Sequence, residues 1–173
     1  MPDEIVDIVD KNDKVIGQES KNVCHKNKIL HRGAMVLIFK DNTFKEILIQ
    51  KRSSTKEKNP NQLAYMGGHV GAGETYLEAA KRELQEEMFH GKKLPNEIKL
   101  EELFKMIKGK DADYEFMMVY RTIYPGPFTL DPAEVDSYFF INLDEITKHI
   151  KENIENYTGT CVLMTKKYLK RYA

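Results

Sequence analysis

Short apolar runs broken by acids and turn residues set the first expectations for this chain. Residues 4–10 and 14–19 read as two short strands joined by the K-N-D turn, a hairpin. Residues 21–30 are a polar connector whose form the pattern leaves open. Residues 34–40 and 46–52 are stronger strands with the turn-prone D-N-T between them. A charged loop covers residues 53–62, and residues 63–66 form a short strand feeding a glycine turn. Further strands are expected at 103–107, 114–124 and 138–141, the last two separated by a Pro-Gly-Pro loop. Helices are expected at 143–153, opened by Asp144 as its cap, and at 161–171. The arrangement that uses all of these is one α/β domain, an α+β mixed sheet with helices on its faces. Residues 1–30 would be an N-terminal hairpin and connector, 31–146 the core and 147–173 C-terminal helices.

The best-specified helix follows the glycine turn. Thr75 and Glu78 make a capping box, which places its N-terminus at Thr75. Leu77, Ala80, Leu84 and Met88 fall on one stripe, the face expected to pack on a sheet. Glu83, Glu87 and Glu86 run along one flank, and the short Ala79 and Ala80 leave room for a ligand. Arg82 can reach back to Glu74 and orient the loop against the helix.

Glu83, Glu86 and Glu87 stand at i, i+3 and i+4, where helical side chains are neighbours. Crowded carboxylates repel unless a cation sits among them, and an oxygen-only site of high charge suits Mg²⁺, with Mn²⁺ as the alternative. A hard dication held in this way most often serves phosphate chemistry. The plainer reading is a solvated acidic helix face.

Composition narrows the field. Lys plus Arg and Asp plus Glu are equal at 27 each, so no broad field favours nucleic acid or an anionic membrane. The 173 residues suffice for a core without staples, and two cysteines, Cys24 and Cys161, argue for reduced thiols inside a cell. The acidic start is unlike a signal peptide, and no apolar run approaches the roughly 20 residues of a membrane span. A soluble, cytoplasmic protein is expected, with the strand-rich N-terminal segment a candidate for mediating a homodimer.

Gly68, five residues, Glu74, seven residues, then Arg82-Glu83-Leu84-x-Glu86-Glu87 resembles the Nudix box of the Nudix hydrolase superfamily. The chain departs from that pattern at Phe89 and His90, which implies a different helix end with Gly91 as a left-handed residue. The opening E-I-V-D-I-V-D-x-N-D-x-V-I-G-Q resembles the branch that also contains isopentenyl diphosphate isomerase. So do L-H-R-G-A at 30–34, Q-K-R-S-S-T-K at 50–56 and D-P-A-E-V-D at 131–136. The resemblance implies a Nudix-type α/β/α sandwich, with the Gly67 carbonyl, Glu83 and Glu87 binding Mg²⁺ and Glu86 close by. It implies Mg-dependent hydrolysis of a phosphoanhydride bond in a nucleoside diphosphate-linked small molecule.

Glu83, Glu86 or Glu115 would be the general base. Arg52 and Lys56, after the second core strand, are candidates for holding the substrate diphosphate, Arg as a fork and Lys as a point charge. Gly68, Glu74 and Arg82 would orient the loop. The rival activity is double-bond isomerisation, because His31, His69, Asp113 and Glu115 match metal-binding or acid/base places in the isomerase pattern. Against it, the isomerase's cysteine in a C-G-H context is replaced by Gly67-Gly68-His69, and the chain has no Trp. A third reading is a Nudix scaffold without catalysis. His25 is expected at the surface, and a zinc site of His25, His31 and His69 is the minor reading. Phe104, Tyr114, Phe116, Tyr120, Tyr138, Phe139 and Phe140 are assigned to sheet packing, with one or two of them available to line a pocket.

Overall fold

The structure, a computed structural model, describes residues 3–108 and 114–172; Asp113 lies outside the described residues. The chain forms two compact units, one of Met1–Val36, Gly67–Glu83 and Leu100–Arg121, the other of Leu37–Met66, Leu84–Lys99 and Thr122–Ala173. None of the described helices is long and apolar enough to cross a membrane.

In the first unit, β1 (Ile5–Val9) and β2 (Val15–Ser20) pair antiparallel from Ile5↔Ser20 to Ile8↔Gly17, the hairpin the alternation predicts. Asp10 Oδ1 closes its turn by accepting from the Asn12 and Lys14 amides at 2.8 and 3.0 Å. β1 also grips the glycine turn: Ala72 N–H donates to the Ile5 carbonyl and Gly73 N–H to Asp7 Oδ2, each at 3.0 Å. The hairpin tip is anchored through Asp13. Its carboxylate accepts from Arg32 Nε at 2.6 Å, Lys105 Nζ at 2.5 Å and the Tyr76 hydroxyl at 3.0 Å.

Burial by itself would raise the Asp13 pKa, but the bonds from Lys105, Arg32 and Tyr76 outweigh it and hold it below the usual carboxylate value. A depressed carboxylate stabilises the fold fully above the unfolded pKa, near pH 4, and that stabilisation is lost as the pH falls from there towards the folded value. Charge-assisted hydrogen bonds contribute about 1.5–3 kcal/mol, and each kcal/mol moves a domain of this size by about 2–4 °C. Asp13→Asn is therefore expected to lower Tm by several degrees at pH 7, with the gap from wild type closing below about pH 4. Thermal melts at pH 7 and pH 3 check this; an equal gap at both would show that the contribution is not ionic.

The structure settles the form of the connector: it is a helix, α1 (Lys21–Asn27), capped by Ser20, whose Oγ accepts from the Val23 amide, and ended by Lys28 at φ 56°. Seven residues with one buried side chain, Cys24, are too few to print a period on the sequence. β3 (His31–Phe39) starts earlier than the apolar run suggests, and β6 (Met66–His69) leads into the glycine turn. β7 (Glu101–Ile107) and β8 (Glu115–Ile123) pair antiparallel.

In the second unit, β4 (Glu46–Arg52) takes the predicted span and pairs antiparallel with β9 (Val135–Asn142), which is longer than predicted. β5 (Leu63–Ala64) adds to β4. The end of β3 joins β4 at Phe39↔Ile47, so β4 has β3, β5 and β9 for neighbours in this unit. Two helices follow β9, α3 (Leu143–Glu152) and α4 (Gly159–Tyr172). The cap of α3 is Asn142 rather than Asp144: Asn142 has extended backbone and its Oδ1 accepts from the Asp144 amide at 2.9 Å. Ile47, Leu48, Ile49, Leu84, Met88, Ile146 and Met164 fill this unit's core, and Cys24 and Cys161 are free, buried thiols.

The helix after the glycine turn is Tyr76–Phe89 (with α1 preceding it, numbered α2 here). Its capping box forms both ways, Thr75 N–H to Glu78 Oε2 at 2.8 Å and Glu78 N–H to Thr75 Oγ1 at 3.2 Å. Ala80, Leu84 and Met88 are buried, but Leu77 is 39% exposed, so the packing stripe starts one turn later than its spacing suggests. Ala79 and Ala80 are fully buried, so their short side chains serve close packing rather than open space for a ligand.

Candidate active site

The backbone of the glycine turn meets side chains of α2. Gly67 has φ 143°, and a Cβ there would strike the Ala34 carbonyl and come within 2.8 Å of Met35 Cα. A Cβ at Gly68 would fall on the Glu83 carboxylate, so the turn's bare backbone lies directly against that side chain. Arg82 holds the other side. Its Nε donates to Glu74 Oε1 at 2.8 Å, its Nη2 to Glu74 Oε2 and the His69 carbonyl at 2.9 Å each, and its Nη1 to Glu83 Oε1 at 2.7 Å. Glu74 Oε2 also accepts from the Gly71 amide at 2.9 Å. The hydrogen bonds from Arg82 hold Glu74 below the usual carboxylate value, against a smaller opposing effect of burial. One guanidinium thus ties the loop, the turn and the helix together.

The three carboxylates of α2 differ in burial: Glu86 is exposed, Glu83 intermediate and Glu87 only 3% exposed. Glu87 therefore falls inside the packing stripe, not beside it. Gln50 of β4 meets it there, donating from Nε2 to Glu87 Oε2 at 3.1 Å and to the Tyr65 carbonyl at 3.2 Å. The helix ends as the departure at Phe89 and His90 implies, with Gly91 at φ 73° bonded to the Gln85 carbonyl at 2.8 Å. His90 is left-handed as well, at φ 49°.

A second constellation lies in the first unit. His25 from α1, His31 from β3, His69 from β6 and Glu115 from β8 offer ligand atoms that all lie within 4.8 Å of one another. His25 Nε2 is 2.9 Å from His69 Nε2. Glu115 Oε1 is 3.0 Å from His69 Nε2 and 3.3 Å from His31 Nε2, and Lys108 Nζ is 2.6 Å from Glu115 Oε2. His31 Nδ1 is 2.8 Å from the Ile29 carbonyl, which can only accept; with that bond made, a cation in the cluster would meet the Nε2 lone pair of the ring. Burial opposes charge on Glu115, but His31, His69 and Lys108 prevail and hold it well below the usual carboxylate range. Burial lowers His69, outweighing the pull of Glu115, so the ring favours its neutral, ligating form. Three imidazoles and a carboxylate at this separation fit a transition metal such as Zn²⁺ or Mn²⁺ better than Mg²⁺. The sequence reading puts His25 at the surface; the structure corrects this, because α1 turns it inward. Lys108 carried no signal in the sequence.

Arg52 and Lys56 both have partners within the second unit. Arg52 donates to the Asn59 and Lys58 carbonyls at 3.2 and 3.1 Å, and Lys56 pairs with the Glu134 carboxylate. Of the aromatic residues, Phe104, Phe116 and Tyr120 are buried as sheet packing requires, whereas Tyr138 and Phe139 are exposed.

A mixed α+β fold with a glycine turn seated against the helix-borne Glu83 carboxylate is the frame of a hydrolase. The NUDIX domain family matches residues 29–160, and the chain belongs to it. It is 30% identical over 150 residues to a Nudix hydrolase of Yersinia pestis, covering 86% of this chain and 79% of that protein. It is 29% identical over 157 residues to an isopentenyl-diphosphate Delta-isomerase of Serratia proteamaculans, covering 90% of this chain and 86% of that protein. A crystal structure from Deinococcus radiodurans superposes with a TM-score of 0.77 at 21% identity, covering 95% of this chain and 98% of that one.

Proposed function

We propose that this Nudix hydrolase cleaves a phosphoanhydride bond in a nucleoside diphosphate-linked small molecule, using Mg²⁺ held by Glu83, Glu86 and Glu87 of α2 with the Gly67 carbonyl. The observation that carries this reading is the Gly68 backbone seated against the Glu83 carboxylate, with Arg82 clamping both Glu74 and Glu83. Mg²⁺ would supply charge neutralisation on the diphosphate and an acidified water. The chain's own part is positioning: Arg82 and Glu74 hold the turn, and the turn holds Glu83. Glu86, the exposed carboxylate, is the best placed of the three to take a proton from water. Glu115 is disfavoured as the base, since both its oxygens are engaged, Oε1 by His31 and His69 and Oε2 by Lys108.

Turnover of nucleoside diphosphates, dinucleotides, sugar nucleotides and coenzyme A with Mg²⁺ tests the reading. Wild type is expected to release phosphate or nucleotide. Glu83→Gln and Glu86→Gln should each lose about 10²–10⁴-fold, the usual span for a lost acid–base or charge-stabilising group, while Glu115→Gln loses less. Near wild-type turnover in both α2 variants would remove the proposed site.

The imidazole cluster supports a second reading, isomerisation of isopentenyl diphosphate, the activity named for the Serratia relative. Gly67 stands against it, because glycine has no proton to donate, and so does the lack of Trp. Adding isopentenyl diphosphate to the panel decides: dimethylallyl diphosphate as product would establish it. On either reading, the cluster is proposed to hold a transition metal.

A further inference from the structure

Gln50 is out of character for its position. It follows Ile47, Leu48 and Ile49 in the most apolar stretch of β4 and, like them, is completely buried. A buried amide is costly unless its hydrogen bonds are made, and an aliphatic residue would fill the place without that demand. Both recorded bonds of Gln50 come from Nε2, to the Tyr65 carbonyl at 3.2 Å and to Glu87 Oε2 at 3.1 Å. Both partners only accept, so a flipped amide would set oxygen against oxygen twice; the orientation of the side chain is dictated by its neighbours. Gln50 Oε1 is buried with no hydrogen-bond partner among the described residues.

We infer that Gln50 is a positioning residue for the metal site: its amide anchors the Glu87 carboxylate in the orientation that receives the cation. The inference rests on the reading of α2 as the Mg²⁺ site. A carboxylate at the end of a long side chain has rotational freedom that a bound ion must remove. A donor fixed to rigid β4, and tied a second time to the Tyr65 backbone, removes it beforehand. The unpaired Oε1 is a buried acceptor suited to a water of the cation's shell, since Mg²⁺ keeps several of its waters when protein-bound. The sequence offered no signal for this role, because nothing in local spacing brings residue 50 to residue 87.

Calorimetric titration of the substrate-free protein with Mg²⁺ tests it. Mg²⁺ prefers oxygen ligands, so the imidazole cluster contributes little to the signal. Partners that orient metal ligands typically alter affinity 10–100-fold. Gln50→Met, which keeps size and removes the donor, is expected to weaken Mg²⁺ binding by roughly that factor. Turnover of Gln50→Met should recover at saturating Mg²⁺, a rescue that damage to the core would not permit. Gln50→Leu, which also keeps an apolar volume and cannot donate to Glu87, is expected to bind as weakly and supplies the answer if the Met variant does not fold. If Glu87→Gln abolishes binding while either folded Gln50 variant binds like wild type, the role of Gln50 is overturned and α2 stands. If Glu87→Gln itself binds like wild type, the α2 site falls and the inference with it.

Discussion

Gly68→Ala is expected to reduce kcat/KM by about 100-fold or more while the protein stays folded. The added methyl would occupy the space of the Glu83 carboxylate, which is the far end of a flexible side chain and would be pushed off its bond from Arg82. The backbone can therefore persist while the group that matters is displaced, and a misplacement of about 1 Å can cost roughly 10²-fold in rate. Gly67→Ala makes the contrast. Its clash is with the Ala34 carbonyl and Met35 Cα, and its φ of 143° excludes a side chain, so it should damage folding instead. Circular dichroism melts with steady-state kinetics distinguish the two outcomes. A folded Gly68→Ala enzyme turning over at wild-type rate would mean that Glu83 is not at the reaction centre.

The second large effect concerns the imidazole cluster. Protein prepared with Zn²⁺ or Mn²⁺ is expected to retain close to one ion per chain by elemental analysis, and chelation should lower Tm by on the order of 10 °C. The magnitude follows from linkage: an ion present at about 1,000 times its Kd stabilises by about 4 kcal/mol, and each kcal/mol shifts a domain of this size by about 2–4 °C. His31→Gln and His69→Gln should lose the ion and the shift together, because His31 presents Nε2 through its Nδ1 contact with Ile29 and His69 lies nearest Glu115. An ion content and a chelator response unchanged in both variants would show that these side chains hold no metal. The Mg²⁺ response of hydrolysis, assigned to α2, is a separate measurement.

Much of the fold was legible locally. β4 follows from an apolar run flanked by polar ends, and the capping box of α2 from Thr75 and Glu78, since both encode structure within a few residues. The contact of Arg82 with Glu74 was legible too, because a known helix start fixes which way a side chain in its second turn can reach. Three features were not. Leu77 shares the stripe yet is exposed, because a helical period says which residues face alike and not where the covering layer begins. Asn142 and Asp144 are both competent caps, and only the backbone dihedrals choose between them. Arg52 and Lys56 follow a strand, as phosphate-binding cations would, but the folded loop turns carbonyls to Arg52 and Glu134, next to β9, pairs with Lys56.

What the chain determined unaided is the helix with its three carboxylates and the glycine turn before it, because i, i+3, i+4 geometry and glycine's freedom are properties of a few consecutive residues. Tertiary structure alone decided that Glu87 is buried against Gln50, and that His25, His31, His69 and Glu115 converge. Those partners lie 37 residues apart in the first case and, for His25 and His69, 44 in the second. Separations of that size are bridged by strand pairing and by the packing of α1, neither of which leaves a spacing in the sequence to be read.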